Sequence, residues 1–407
     1  MSDLDHTSTI ARHGQLEPQR RWPIVLRLVA AALAVLLVSG ASVGAIVVAQ
    51  LGADIDTFVL PGQEDAPPEI GAFKGGFNIL IVGSDVCEDD SGCGGRGSAE
   101  LNDVTILLHV SEDQSNAVAV SFPRDLVVPI PSCPKADGSG SYSAMSARPL
   151  NETLFYGGLP CTAATITKLT GVDIQFAGLI KFSGVVALSN AVGGVPVCVD
   201  GPVVDEYSGL NLPEAGTYTL SGTDALAFLR TRHGVGDGGD LTRISSQQAF
   251  LSSLLRTIKS NDTLGDPVKV YNVARAATSS MTLSDNFAQL DTLASIALAL
   301  RGIPLDRFSF VQYPSSTDGT GVYAGKLQPV EEDADRLFAQ ILADEPFTLP
   351  SAGDGQGAVA DPNAAPAAPP APAPSASAGP SAPPAPEVPV LDLRGQTAAD
   401  STCTVAN

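Results

Sequence analysis

A chain of 407 residues with 44% hydrophobic content has enough apolar side chains for one large core or two modest ones. Its formal net charge of −21 excludes general nucleic-acid binding, which needs excess Lys and Arg spread over a broad surface. An anionic ligand must therefore be held locally.

From Leu28 to Leu51 the sequence carries no charged residue and matches the roughly 20 apolar residues needed to cross about 30 Å of hydrocarbon as a helix. Arg20, Arg21 and Arg27 precede it, whereas Asp54, Asp56, Glu64, Asp65 and Glu69 follow before Lys74. Positive-inside bias therefore predicts a single-pass anchor in the cell membrane, with the N-terminal tail (1–27) cytoplasmic and the body extracellular. Residues 52–74 read as a spacer. An apolar stretch of this length exceeds the h-region of a cleaved signal peptide.

Next come β-branched, apolar runs at 77–85, 104–111 and 116–125, each bounded by turn residues, which predict buried strands. Helical spacing is found at 221–232, 241–260 and 285–301; a later strand at 308–314 precedes a helix at 331–343. Strands interleaved with helices imply a sheet covered on both faces. From 350 onward the chain reads as a Pro/Ala-rich disordered linker with a short C-terminal tail. The six cysteines, Cys87, Cys93, Cys133, Cys161, Cys198 and Cys403, lack zinc-site spacing and suit disulfides outside the cytoplasm. The expected pairs are Cys87 with Cys93 and Cys133 with Cys161, although spacing does not fix connectivity.

Chemistry-bearing residues cluster where predicted elements end, as ligand sites in open α/β folds do. Asp85 leaves the first strand and Asp103 enters the second, and two such carboxylates suit a hard cation such as Mg²⁺. Taken singly, each is an ordinary turn former. Arg124, leaving the third strand beside Asp125, suits bidentate phosphate recognition or a plain surface ion pair. Arg230 and Arg232 close one helix, where cations are favoured by the carbonyl end in any case. Asp240 is the expected N-cap of the next helix, with Arg243 and Gln247 on the same face. A first-turn Arg opposes the helix dipole unless an anion joins it there. His233 is either a general base or a helix-end cap. The glycines of "GVGDGG" (234–239) lack the spacing and Lys of a phosphate loop.

Several ordered stretches, "FNILIVGSD", "LNDVTILLHVS", "VAVSFPRDLVVPIP", "LNETLFYGG", "YSGLNLPEAGTYTLSGTDALAFLRTRH" and "GDLTRISSQQAFLSSLL", together resemble the LytR-CpsA-Psr family of bacterial cell-wall enzymes over residues 75–260. The cysteines and the Ala/Pro tail look actinobacterial. The resemblance implies a three-layer α/β/α domain with a central mixed sheet over 75–349, preceded by the transmembrane helix. It implies transfer of a glycopolymer from a polyprenyl-pyrophosphate carrier to peptidoglycan, with Mg²⁺ at the pyrophosphate. By motif, Asp85 and Asp103 match the metal side. Arg124, Arg230, Arg232, Arg243 and Gln247 match the pyrophosphate site, with Arg124, Asp125, Arg232 and Arg243 catalytic; Asp103 or Asp125 takes the acceptor's proton. Leu101, Pro149 and Ser246 stand where the family commonly has basic residues, which weakens the cationic grip. A non-catalytic envelope-glycan or lipid-carrier binder and a polyprenyl-pyrophosphate hydrolase are the alternatives.

Overall fold

The computed structural model describes residues 22–53, 55–60, 75–84, 100–135, 138–350, 353, 356–364 and 388–407. Contacts divide the chain into two units, 1–50 and 51–407.

In the first, the predicted apolar stretch forms a helix, α1 (Trp22–Ala53). Leu28, Leu33, Leu36, Leu37 and Val38 are exposed on it. Among the described residues no helix is long and apolar enough to cross a membrane.

The second unit is built on an eight-stranded mixed sheet. In chain order its strands are β1 (Asp56–Phe58), β2 (Phe77–Ser84), β3 (Asn102–Val110), β4 (Ala117–Phe122), β5 (Phe176–Ile180), β6 (Met281–Ser284), β7 (Phe308–Gln312) and β8 (Gly395–Thr397). Their spatial order is β1-β6-β5-β2-β3-β4-β7-β8. The central β2, β3 and β4 run antiparallel to one another, while β2 pairs β5 and β4 pairs β7 in parallel.

Period-2 alternation splits each central strand between two cores. Leu80, Val82, Leu107, Val118, Val120 and Phe122 pack with two helices, α2 (Thr153–Thr170) and a C-terminal one at Glu331–Leu342. Phe77, Ile79, Leu108, Val110, Ala117 and Ala119 pack on the opposite face with the helix Leu290–Gly302. The sheet is thus covered by helices on both faces, and β4, buried at every position, is apolar apart from Ser121 for that reason.

Helix α2 escaped the periodicity reading because Gly157, Gly158 and Pro160 interrupt it, and the structure kinks there. A Cβ at Gly157 would lie 2.9 Å from the Cβ atoms of both Cys133 and Cys161. Glycine is needed to let the Cys133–Cys161 disulfide, the pairing expected from sequence, pack against the kink. Cys87 and Cys93 lie outside the described residues.

The short tail expected after the Pro/Ala-rich linker is paired into two sheets. Residues 365–387 are outside the described part, but Gly395–Thr397 forms the edge strand β8, antiparallel to β7. Thr402–Thr404 enters a four-stranded sheet beside Val195–Val199, to which Cys403 is joined through a disulfide with Cys198. The segment carries Thr and Cys side chains that bury fully against this second sheet, which a Pro/Ala linker lacks.

Candidate active site

The site forms where the central strands end, because of strand register. Ser84 at the end of β2 faces Asn102 at the start of β3, and Thr105 faces Phe122 at the end of β4. The residues just beyond these pairs, Asp103 and Arg124, therefore meet, and the Arg124 guanidinium donates to Asp103 Oδ1 at 2.5 Å. Asp85 follows β2 directly but lies outside the described residues.

Helix α4 (Gly222–Arg230) and helix α5 (Asp240–Lys259) bring the remaining cations. The expected N-cap role of Asp240 is corrected: Gly239 occupies the cap position and Asp240 is the first helical residue. Asp237 Oδ1 instead accepts from the Gly239 N–H (2.8 Å) and the Thr242 hydroxyl (2.9 Å), closing the glycine loop onto the helix. This frees Asp240 to accept from the Arg124 backbone N–H at 3.0 Å and from Arg243 at 2.6 Å. Arg243 also donates to the Asp103 carbonyl at 3.1 Å, tying the first turn of α5 to β3.

Arg232 follows α4 on a loop held by Asp205, a buried carboxylate with no motif in the sequence to announce it. Asp205 accepts from the backbone N–H groups of Tyr207, Arg232 and His233 and from the Thr231 hydroxyl. Burial pushes its pKa up, but these donors outweigh burial and hold it below the ordinary carboxylate range. Burial, then the nearby charges of Arg124 and Arg243, hold the Arg232 guanidinium below the usual arginine value, although Asp240 and Asp125 oppose them.

Lys326 is the second residue that sequence reasoning missed. It donates to Asp125 Oδ1 at 2.6 Å. Burial raises the Asp125 pKa, yet that bond and the charges of Arg124, Lys326 and Arg232 bring it below the ordinary value.

The Nε atoms of Arg124, Arg232 and Arg243 are all buried without a hydrogen-bond partner. Unsatisfied buried donors are rare, and the three guanidinium groups are near enough for the charges of Arg124 and Arg243 to act on Arg232. Four cations, Arg124, Arg232, Arg243 and Lys326, face three carboxylates, Asp103, Asp125 and Asp240.

Two of the sequence-selected residues are placed elsewhere. The Arg230 guanidinium lies 4.6 Å from the centre of the Phe182 ring, a cation–π contact. Gln247 is buried, and its amide donates to the Leu229 carbonyl at 2.9 Å, holding the end of α4 in place. Ser246, at a position expected to weaken the cationic grip, is buried and donates back to the Thr242 carbonyl. Arg148 pairs with Glu152 and with the Tyr156 hydroxyl. Among the described residues the one group spaced for a metal is Cys198, Asp361 and Cys403, and its two cysteines are joined to each other.

A sequence model of the LytR_cpsA_psr family matches residues 59–338. The chain belongs to this family. It is 31% identical to the cell wall biosynthesis protein LcpA of Corynebacterium glutamicum over 72% of its own length and 60% of that protein's. It is 27% identical to the polyisoprenyl-teichoic acid–peptidoglycan teichoic acid transferase TagT of Bacillus subtilis, over 59% of this chain and 71% of TagT. Its fold is shared with a LytR-Csp2A-Psr enzyme from Actinomyces oris, at a TM-score of 0.51, 24% identity and coverage of 70% and 96%. It is shared too with B. subtilis TagV, at a TM-score of 0.52, 19% identity and coverage of 67% and 98%. The family match explains why its mixed sheet and the residues where the central strands end were legible as ordered motifs.

Proposed function

We propose that this protein is a membrane-anchored transferase that moves a glycopolymer from a polyprenyl-pyrophosphate or polyprenyl-phosphate carrier onto peptidoglycan. The observation that carries the reading is the gathering of Arg124, Arg232 and Arg243 where the central strands end, each with a buried Nε that makes no hydrogen bond, on a chain of net charge −21. Such a cradle suits a compact, doubly phosphorylated head and does not suit an extended polyanion. The names of the relatives agree with this chemistry.

Arg124, Arg232 and Arg243 bind the phosphate oxygens and stabilise charge that develops on the departing prenyl phosphate. Preorganised cations of this kind are usually the largest single catalytic contribution. In the transfer, the acceptor hydroxyl oxygen forms a bond to the sugar-side phosphorus, the bridging P–O bond breaks, and the prenyl phosphate leaves with the electron pair. The hydroxyl proton passes to a carboxylate. Asp103, bonded to Arg124, and Asp125, bonded to Lys326, are the two carboxylates placed to take it.

Magnesium fits the donor set of Asp103 and Asp85, since it takes one or two protein carboxylates with the remaining positions filled by phosphate oxygens and water. Asp103 is partly exposed and has one oxygen committed to Arg124. When bound, the ion would supply further neutralisation of the pyrophosphate.

The apolar run in α1, whose described side chains from Leu28 to Val38 are exposed, would anchor the body to the bilayer in which a prenyl chain resides. Incubating the full chain with a prenyl-pyrophosphate-linked glycan, Mg²⁺ and peptidoglycan tests the reading. Glycan transfer that requires acceptor is expected; carrier hydrolysis without acceptor, or binding without turnover, overturns it.

A further inference from the structure

One pair of rings lies outside the arginine cradle and has no part in the reaction described above. Tyr207 is 83% exposed. It stands between the strands Val203–Asp205 and Leu210–Leu212, and its ring lies 4.6 Å from that of His233, with 37° between the planes. The His233 side chain is itself 64% exposed, and its Nδ1 is 3.7 Å from Asp205 Oδ1, beyond hydrogen-bond range.

A large ring so exposed is informative where its position is fixed, and here it is fixed from several sides. The buried Asp205 carboxylate accepts from the backbone N–H groups of Tyr207 and His233. On the other side of the loop, the Asn407 side chain donates to the His233 carbonyl at 2.9 Å and the Asn407 N–H donates to the Gly234 carbonyl. The same Asp205 oxygen that holds His233 also accepts from the Arg232 N–H. One buried carboxylate therefore sets both the exposed ring pair and the outermost arginine of the cradle, one residue apart in the chain.

We propose that the Tyr207–His233 ring pair is a saccharide subsite that receives a pyranose ring of the acceptor, the peptidoglycan glycan strand. An aromatic face whose backbone hangs on the same carboxylate as Arg232 offers a flat apolar surface to the C–H face of a sugar, and its ring already touches that of His233, so that less side-chain freedom is lost on binding. The acceptor is chosen over the donor glycan because of exposure. A long, cross-linked strand cannot thread into an enclosed cleft, whereas a protruding hairpin tip meets it on its surface. The proposal rests on the transferase reading for its placement beside Arg232, but its test does not depend on turnover.

Soluble, uncross-linked peptidoglycan glycan fragments are titrated against the full chain in detergent without donor, and binding is followed by the His233 ring resonances. Tyr207→Ala is expected to weaken fragment binding about 3- to 10-fold, the range of an aromatic contact. Tyr207→Phe, which keeps the ring, should retain wild-type affinity. In the transfer assay Tyr207→Ala should raise the KM for acceptor by the same factor while leaving kcat and the KM for donor unchanged. Fragment affinity unaltered by Tyr207→Ala, in a protein whose melting temperature is unchanged, overturns the proposal; so does a rise in donor KM alone, which would assign the rings to the donor glycan. Binding lost in Tyr207→Ala, with no transfer by the wild type, would sink the transferase reading and leave the subsite standing.

Discussion

The inner and outer halves of the arginine cluster are held in opposite ways. Arg124 and Arg243 are fixed by side-chain bonds to Asp103 and Asp240, so their charge is largely balanced within the protein. Arg232 makes no side-chain hydrogen bond or ion pair among the described residues; it is held through its backbone by Asp205, while its guanidinium is repelled by both neighbours. Paired arginines build the frame, and Arg232 stands beside it with its guanidinium unbonded. A site of this kind accepts strain in the apo protein in exchange for anion affinity.

The contrast predicts which substitutions damage fold and which damage activity. Asp240→Ala should have the largest effect. It leaves buried Arg243 without its carboxylate and removes the acceptor of the Arg124 N–H, a loss on the order of 3–5 kcal/mol. Chemical denaturation should show the drop, and activity should fall with it. Unchanged stability would mean that the inner pair is no frame at all.

Cys403→Ser comes next. The Cys198–Cys403 bond links residues 205 apart and latches the tail whose residues 405–407 brace the loop after Arg232. Its loss is expected to cost about 2–4 kcal/mol of stability. Limited proteolysis should then cut the tail, and the double variant with Cys198→Ser should be no worse than either single one.

Arg232→Ala should separate function from stability. We expect kcat/KM to fall roughly 10²-fold, as when one preorganised donor is removed from a transition-state site. The melting temperature should stay level or rise, because a like-charge repulsion is relieved. A parallel loss of both would place Arg232 in the frame with Arg243.

Legibility in the sequence follows the same division. The strands β2, β3 and β4 and the helix α5 were readable because each carries an uninterrupted periodic signal, and Arg124, Arg232 and Arg243 because they stand at the ends of those elements. Gln247 is expected at the pyrophosphate, and Gln248 follows it on the same helix. They are buried against protein instead, with Gln247 donating to Leu229 and Gln248 to Ser121. Periodicity reports that a position faces inward and does not tell what waits there. Asp205 and Lys326 were invisible because their roles depend on a hairpin and a loop packing across 27 and 201 residues of sequence, respectively. Asp240 was misread by one position, since Asp237 took over the closing of the glycine loop.

The smallest predicted effect concerns Lys326, the cation that balances Asp125. Because Asp125 has a lower pKa folded than unfolded, it binds fewer protons in the native state. It contributes stability above the ordinary carboxylate value, and that contribution is lost as pH falls through the depressed folded value. Lys326→Met removes the strongest of the influences that lower it, the 2.6 Å hydrogen bond, and leaves Arg124 at 3.7 Å. The variant should therefore be less stable than the wild type at neutral pH by on the order of 1 kcal/mol. The two should converge as acid protonates Asp125 in both. Urea midpoints measured from neutral pH down into the carboxylate range read the difference directly. A gap that stays constant with pH would show that Lys326 acts through packing of its aliphatic stem and not through Asp125. Arg124 would then be the group holding that carboxylate ionised, and the inner frame would extend one residue further than the contacts of Asp103 and Asp240 imply.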